Sequence, residues 1–230
     1  MSRGSATALK DPTPQAAATL AARRARDFAP LHRAQFDQRG PWWWTRRPAL
    51  GEGGRVDLAA PDGTLYFATS ATGAVIEKVW DPDAADPTDP QPQLVLRDTL
   101  ERIIVWQAQH EVIDAELVVT DLTDSKDGLP KEFSTADYTV TQAWADTIRG
   151  HSRGQHGVVY WLRLDPADGR AVALFADGPD DDAPGFAEER FALRASDRAI
   201  AVADELPTHM FRVVDRPADA DMSPATLDAI

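Results

Sequence analysis

The chain contains no cysteine, which excludes disulfides, thiolate metal sites and a cysteine nucleophile. It has no apolar run of about 18 residues, so it offers no helix able to cross a bilayer. The opening segment, MSRGSATALKDPTPQAAATLAARR, lacks the apolar stretch of a secretory leader, and the expected location is the cytoplasm. Positive charge is scarce as well. Against 37 Asp and Glu stand 24 Lys and Arg, a net charge of −13, and this balance argues against a nucleic-acid partner, whose phosphates ask for a basic face. The five histidines, His32, His110, His151, His156 and His209, show no metal-ligand spacing, so no metal is expected. What the chain does have is apolar material. Hydrophobic residues make up 43% of its 230 positions, enough for one real core.

The richest stretch runs from Gly53 to Trp80, GGRVDLAAPDGTLYFATSATGAVIEKVW. Pro61-Asp62-Gly63 is turn chemistry, because proline presets φ and glycine accepts the left-handed region. Leu65–Thr69 is apolar and aromatic, as in a short buried strand. Ser70 or Thr72 then caps a helix in which Val75 and Val79, and Ile76 and Trp80, recur four apart. On this loop, strand and helix Arg55, Tyr66 and Glu77 fall at equal spacings of eleven residues, and a compact fold brings all three to one cleft.

Elsewhere, residues 1–17 read as an N-terminal arm and residues 216–230 as a tail around a single domain over 18–215. Thr19–Phe28 reads as an amphipathic helix and Leu31–Gln35 as a first strand. In Gly40-Pro41-Trp42-Trp43-Trp44, three consecutive tryptophans cannot share one direction, so one of them lines a groove or all pack in the core. Leu94–Gln107 reads as helical around DTLERIIVW, Ala115–Leu122 as a strand, and Tyr138–Arg149 as a helix stopped by Gly150. Gly157–Leu164 and Arg170–Phe175 form a hairpin through Asp165–Gly169. Phe186–Leu193 and Ala199–Leu206 are closing strands or short helices. The runs DPDAADPTDPQPQ and GPDDDAPG are surface loops; the second lacks the glycine and glutamate of a calcium loop. Strands and helices mix without strict alternation, so the class is α+β, a mixed sheet flanked by helices.

The order of LHR with Arg33, GGR with Arg55, LYFAT with Tyr66, the helix with Glu77, GVVYWLR and ALF resembles the RES domain family over roughly Leu31 to Phe175. The resemblance implies a fold like that of ADP-ribosyltransferases and the role of toxin beside an Xre-type helix-turn-helix antitoxin. It also implies degradation of NAD⁺, with phosphate or water as acceptor. Carried over by position, Arg33 and Arg55 stand at the family's arginines, Tyr66 at its strand tyrosine and Glu77 at its glutamate. The late motif of the family reads like G-I-R-Y-x-S-R, and here Leu162 stands where its serine is expected, with Arg163 after it. Ser152, ten residues earlier, replaces that serine only if the intervening loop folds back.

The chemistry of NAD⁺ gives these residues distinct roles. Arginine forks match pyrophosphate oxygens, which assigns Arg33 and Arg55, with Arg163 a further phosphate contact. Tyr66 and one tryptophan, Trp44 above all, suit stacking on nicotinamide or adenine. Cleaving the nicotinamide bond leaves an oxocarbenium-like ribose, and Glu77 is the carboxylate to stabilise it. Phosphate, water and a protein side chain all stand as acceptors, so a phosphorylase, a glycohydrolase and a protein ADP-ribosyltransferase stay open. The blander readings also stand: Glu77 as a solvated residue beside Lys78, the arginines as surface ion pairs, Tyr66 as core. A RES-like scaffold that binds a nucleotide or partner without chemistry is the alternative that Leu162 suggests.

Overall fold

The computed structural model describes residues 12–80, 91–124, 133, 137–151, 155–162, 169–176 and 192–216. Several expectations lie outside those residues: Ser152, Arg163, the centre of the hairpin turn, both acidic loops, most of Phe186–Leu193, residues 1–11 of the arm and the tail from 217. Among the described residues eight strands form one sheet in the order β1 (Ala21–Arg24), β6 (Val118–Asp121), β7 (Gln155–Trp161), β8 (Arg170–Ala176), β3 (Gly63–Ala68), β2 (Leu31–Phe36), β5 (Ile103–Ala108), β9 (Arg194–Arg198). Only β6 and β7 pair in parallel within it; β4 (Gln93–Leu96) and β10 (Phe211–Val214) make a second, parallel pair. The helices are α1 (Pro14–Ala18), α2 (Ala71–Val79), α3 (Arg97–Glu101) and α4 (Tyr138–His151). This is an α+β domain.

Alternation along the central strands divides the core. On β7 and β8, Val158, Tyr160, Ala171 and Ala173 face α4 in one apolar cluster, while Val159, Val172 and Leu174 face the other side with Phe28, Trp44 and Leu117. A third cluster joins Val75 and Ile76 of α2 to Ile103, Val105, Leu206 and Phe211. The β7–β8 hairpin forms as expected. So does the strand into the helix: Ser70 accepts from the Gly73 amide at 2.9 Å, capping α2. Val79 and Trp80 join Val75 and Ile76 in one cluster, as the four-residue spacing requires.

Three expectations are corrected. Thr19–Phe28 is not a helix but β1 followed by a 3₁₀ turn over Ala25–Phe28. Pairing with β6 decides it, and Arg23 reaches Asp124 at 2.5 Å beyond that strand. Leu94–Gln107 is helical only over Arg97–Glu101, because the β-branched run at Ile103 completes a six-residue ladder with β2. Helix α4 runs one residue past Gly150. In the region assigned to the arm, Thr13 caps the single turn of α1, whose Ala17 is fully buried beside α4.

Candidate active site

The cleft originates in a split of the sheet. Strands β2 and β3 share one residue pair, His32 with Ala68, whereas β2 pairs with β5 along its whole length. A cleft of about 330 Å³ opens there, lined by His32–Gln35, Lys78, Tyr66, Glu77, Arg55, Tyr138 and Tyr160. Small residues leave the space: Ala68, Ala74 and Ala171 lie on its walls.

Arg33 bridges the split. Its Nη1 donates to the Tyr66 carbonyl at 3.0 Å and its Nη2 to the Trp43 carbonyl. The residue is only 4% exposed, and burial lowers its pKa to about 10. With both terminal nitrogens on backbone carbonyls, Arg33 ties β2 to β3 and to the tryptophan loop. Its Nε has no hydrogen-bond partner among the described residues, and the residue lines the cleft.

Tyr66 is likewise anchored by its polar end. Its hydroxyl donates to Asp57 Oδ1 at 2.7 Å and accepts from the Val56 amide at 3.1 Å, leaving the half-buried ring as its contribution to the cleft wall. Asp57, 1% exposed, also accepts from Thr45 Oγ1 and from the Gly54 amide, each at 2.6 Å. The loop wraps this carboxylate so tightly that a Cβ on Gly54 would lie 2.7 Å from the Tyr66 hydroxyl. Gly53 takes φ +81°, open to glycine at little cost.

Helix α4 places Arg55. Gln142 donates to the carbonyls of Glu52 and Gly54, and Thr141 donates to the Arg55 carbonyl at 2.5 Å. The guanidinium lies 5.0 Å from the Tyr138 ring centre and donates to the Phe133 carbonyl at 3.2 Å. Glu77, two turns into α2, opens onto the solvent in the cleft. The surrounding walls raise its carboxyl above the usual carboxylate range, and Arg55 opposes that shift. Tyr160 also lines the cleft: it is 2% exposed, its hydroxyl has no hydrogen-bond partner among the described residues, and burial, with Glu77 adding to it, holds its pKa well above the ordinary phenol value.

Arg55, Tyr66 and Glu77 therefore meet, as the eleven-residue spacing anticipated. Trp44 does not join them. It is buried over Gly63 in the core on the other face of the sheet, and Trp43 lines the cleft instead. Leu162, at the expected serine, is 6% exposed within the same apolar cluster as Tyr160. Sequence reasoning also passed over Tyr160, Tyr138, Asp57 and Lys78. Tyr160 was legible in principle, since strand alternation sets it on the face of Val158 and Leu162; the others depend on contacts between distant segments.

The sequence matches the RES domain family over residues 24–194. The chain belongs to this family. No curated protein matches it. Among solved structures, this RES domain is similar to a chain of the M. tuberculosis MbcT–MbcA toxin–antitoxin complex. The two share 18% identity and superpose with a TM-score of 0.50 over 77% of this chain and 87% of that one. At that identity the likeness is one of fold.

Proposed function

We propose that this RES domain cleaves the bond between nicotinamide and ribose in NAD⁺, passing the ADP-ribosyl group to phosphate or water. The observation that carries this is the meeting of Glu77, Arg55, Tyr66 and Tyr160 around one cleft. Heterolysis sends the bonding electrons to the ring nitrogen, nicotinamide leaves neutral, and C1″ becomes oxocarbenium-like. The Glu77 carboxylate stabilises that charge from the cleft wall. Burial raises the pKa of Glu77 and the Arg55 charge opposes that shift. The unpartnered Tyr160 hydroxyl is free to bind a ribose hydroxyl, and the rings of Tyr66 and Trp43 offer stacking surfaces. An acceptor oxygen then bonds to C1″ and releases its proton. In a cell this activity is that of a toxin, held in check by a small Xre-type antitoxin that covers the cleft.

The test is incubation of the purified chain, free of any partner, with NAD⁺ in the presence and absence of phosphate. Nicotinamide release is expected, and Glu77→Gln should lower it by about 10²-fold or more while the protein stays folded. Unchanged NAD⁺ in both buffers overturns the proposal. A second reading, a RES scaffold that binds the dinucleotide without cleaving it, draws on the apolar Leu162 at the serine position; calorimetric binding of NAD⁺ without nicotinamide release would select it.

A further inference from the structure

Arg33 lines the cleft but commits both terminal nitrogens to backbone carbonyls, and other cations stand nearer the opening. Lys78 follows Glu77 on α2 and lines the cleft. Its ammonium lies 4.8 Å from the centre of the Phe36 ring, and the Arg102 guanidinium lies 5.9 Å from the same ring. Arg39 lies 4.0 Å over Trp43, itself a cleft residue. Among the described residues no carboxylate forms an ion pair with Lys78, Arg39 or Arg102. Burial lowers the pKa of Lys78 to about 8, with the charges of Arg39 and Arg33 adding to the shift. In a chain of net charge −13, three cations standing on two aromatic faces beside one cleft form a local field of the opposite sign.

We infer that Lys78 and Arg39, with Arg102 behind them, form an anion seat at the cleft rim that takes the diphosphate of a dinucleotide. The inference rests on the proposed cleavage of NAD⁺ and adds phosphate contacts beyond the arginines of the sequence motifs. Each cation is held by an aromatic face and not by a carboxylate, so an incoming phosphate oxygen displaces no ion pair. A diphosphate carries two phosphoryl groups for these donors, and ADP-ribose adds the contacts of its ribose and adenine in the cleft, which orthophosphate lacks.

The seat is tested by calorimetric titration of the purified chain with ADP-ribose and, separately, with orthophosphate. Lys78→Met keeps the stem on Phe36 and removes the charge; it should weaken ADP-ribose binding about tenfold or more. Lys78→Arg should restore most of the loss. Arg97→Gln, which removes an equal charge from an exposed pair with Asp215, should leave binding unchanged. Equal ADP-ribose affinity in wild type and Lys78→Met overturns the seat even if NAD⁺ is cleaved. Loss in Lys78→Met that Lys78→Arg does not restore also overturns it, since the charge is then not what binds. Orthophosphate binding that is as tight as ADP-ribose binding and equally sensitive to Lys78→Met assigns the site to a phosphate acceptor and overturns the diphosphate. A Lys78-dependent affinity for ADP-ribose in a chain that never cleaves NAD⁺ supports the seat and sinks the enzyme reading alone.

Discussion

In the frame that holds the cleft, its floor, Arg33 donates to two backbone carbonyls and Asp57, behind the Tyr66 wall, accepts from three donors, whereas at the rim Lys78 and Arg39 stand on aromatic rings with no ion pair among the described residues. Both regions contain charged side chains beside aromatic ones, yet they do different work. Floor charges bond to the protein itself, and so they fix shape. Rim charges keep their hydrogen-bonding capacity for something else. The same residue type can belong to either region, as Arg33 and Arg39 show, and its hydrogen bonds decide which.

Breaking the floor should cost stability before it costs chemistry. The largest effect is expected for Asp57→Ala, which strands the Tyr66 and Thr45 hydroxyls and the Gly54 amide without their acceptor. A loss of about 3 kcal/mol should appear as a lower denaturant midpoint. Tyr66→Phe removes one of those donors and the acceptor of the Val56 amide, so about 1 kcal/mol is expected, with the ring still on the cleft wall.

The smallest effect sharpens the rim. The folded pKa of Glu77 is raised above its unfolded value, so the folded state holds that proton more tightly. The wild type therefore loses stability, relative to Glu77→Gln, as the pH rises through that window. Glu77→Gln should be the more stable protein at neutral pH, with the gap closing as the pH falls through the raised folded value toward about 4.3 and gone below it. Paired melting curves across pH measure this. A gap that widens on acidification would place Glu77 with the satisfied groups of the floor.

Where structure follows from neighbours along the chain, the sequence was readable. Ser70 as a cap, the strand and helix around Tyr66 and Glu77, and the β7–β8 hairpin all depend on local chemistry and period. Thr19–Phe28 was not readable, because its helical composition yields to pairing with β6, almost a hundred residues away. The site divides in the same way. Glu77 and Tyr66 follow from their own strand and helix, and Arg55 from the loop before them. Whether Arg33 binds a ligand or a backbone depends on where the Tyr66 and Trp43 carbonyls lie, and which tryptophan faces the cleft depends on the sheet behind Trp44. The rim is the least legible part, since Phe36, Lys78 and Arg102 meet only after β2, α2 and α3 have packed.

The split between β2 and β3 also bears on the order in which the molecule is made. His32 stands on one side of the cleft, and Tyr160 and Ala171 stand deep in it, while β3 is paired along its length with β8. A chain still emerging from the ribosome has β2, β3 and α2 early but no complete cleft until β8 has been synthesised. Contacts this distant along the chain are also slow to form. The cleft is thus one of the last features to mature, and a growing chain passes most of its synthesis without it.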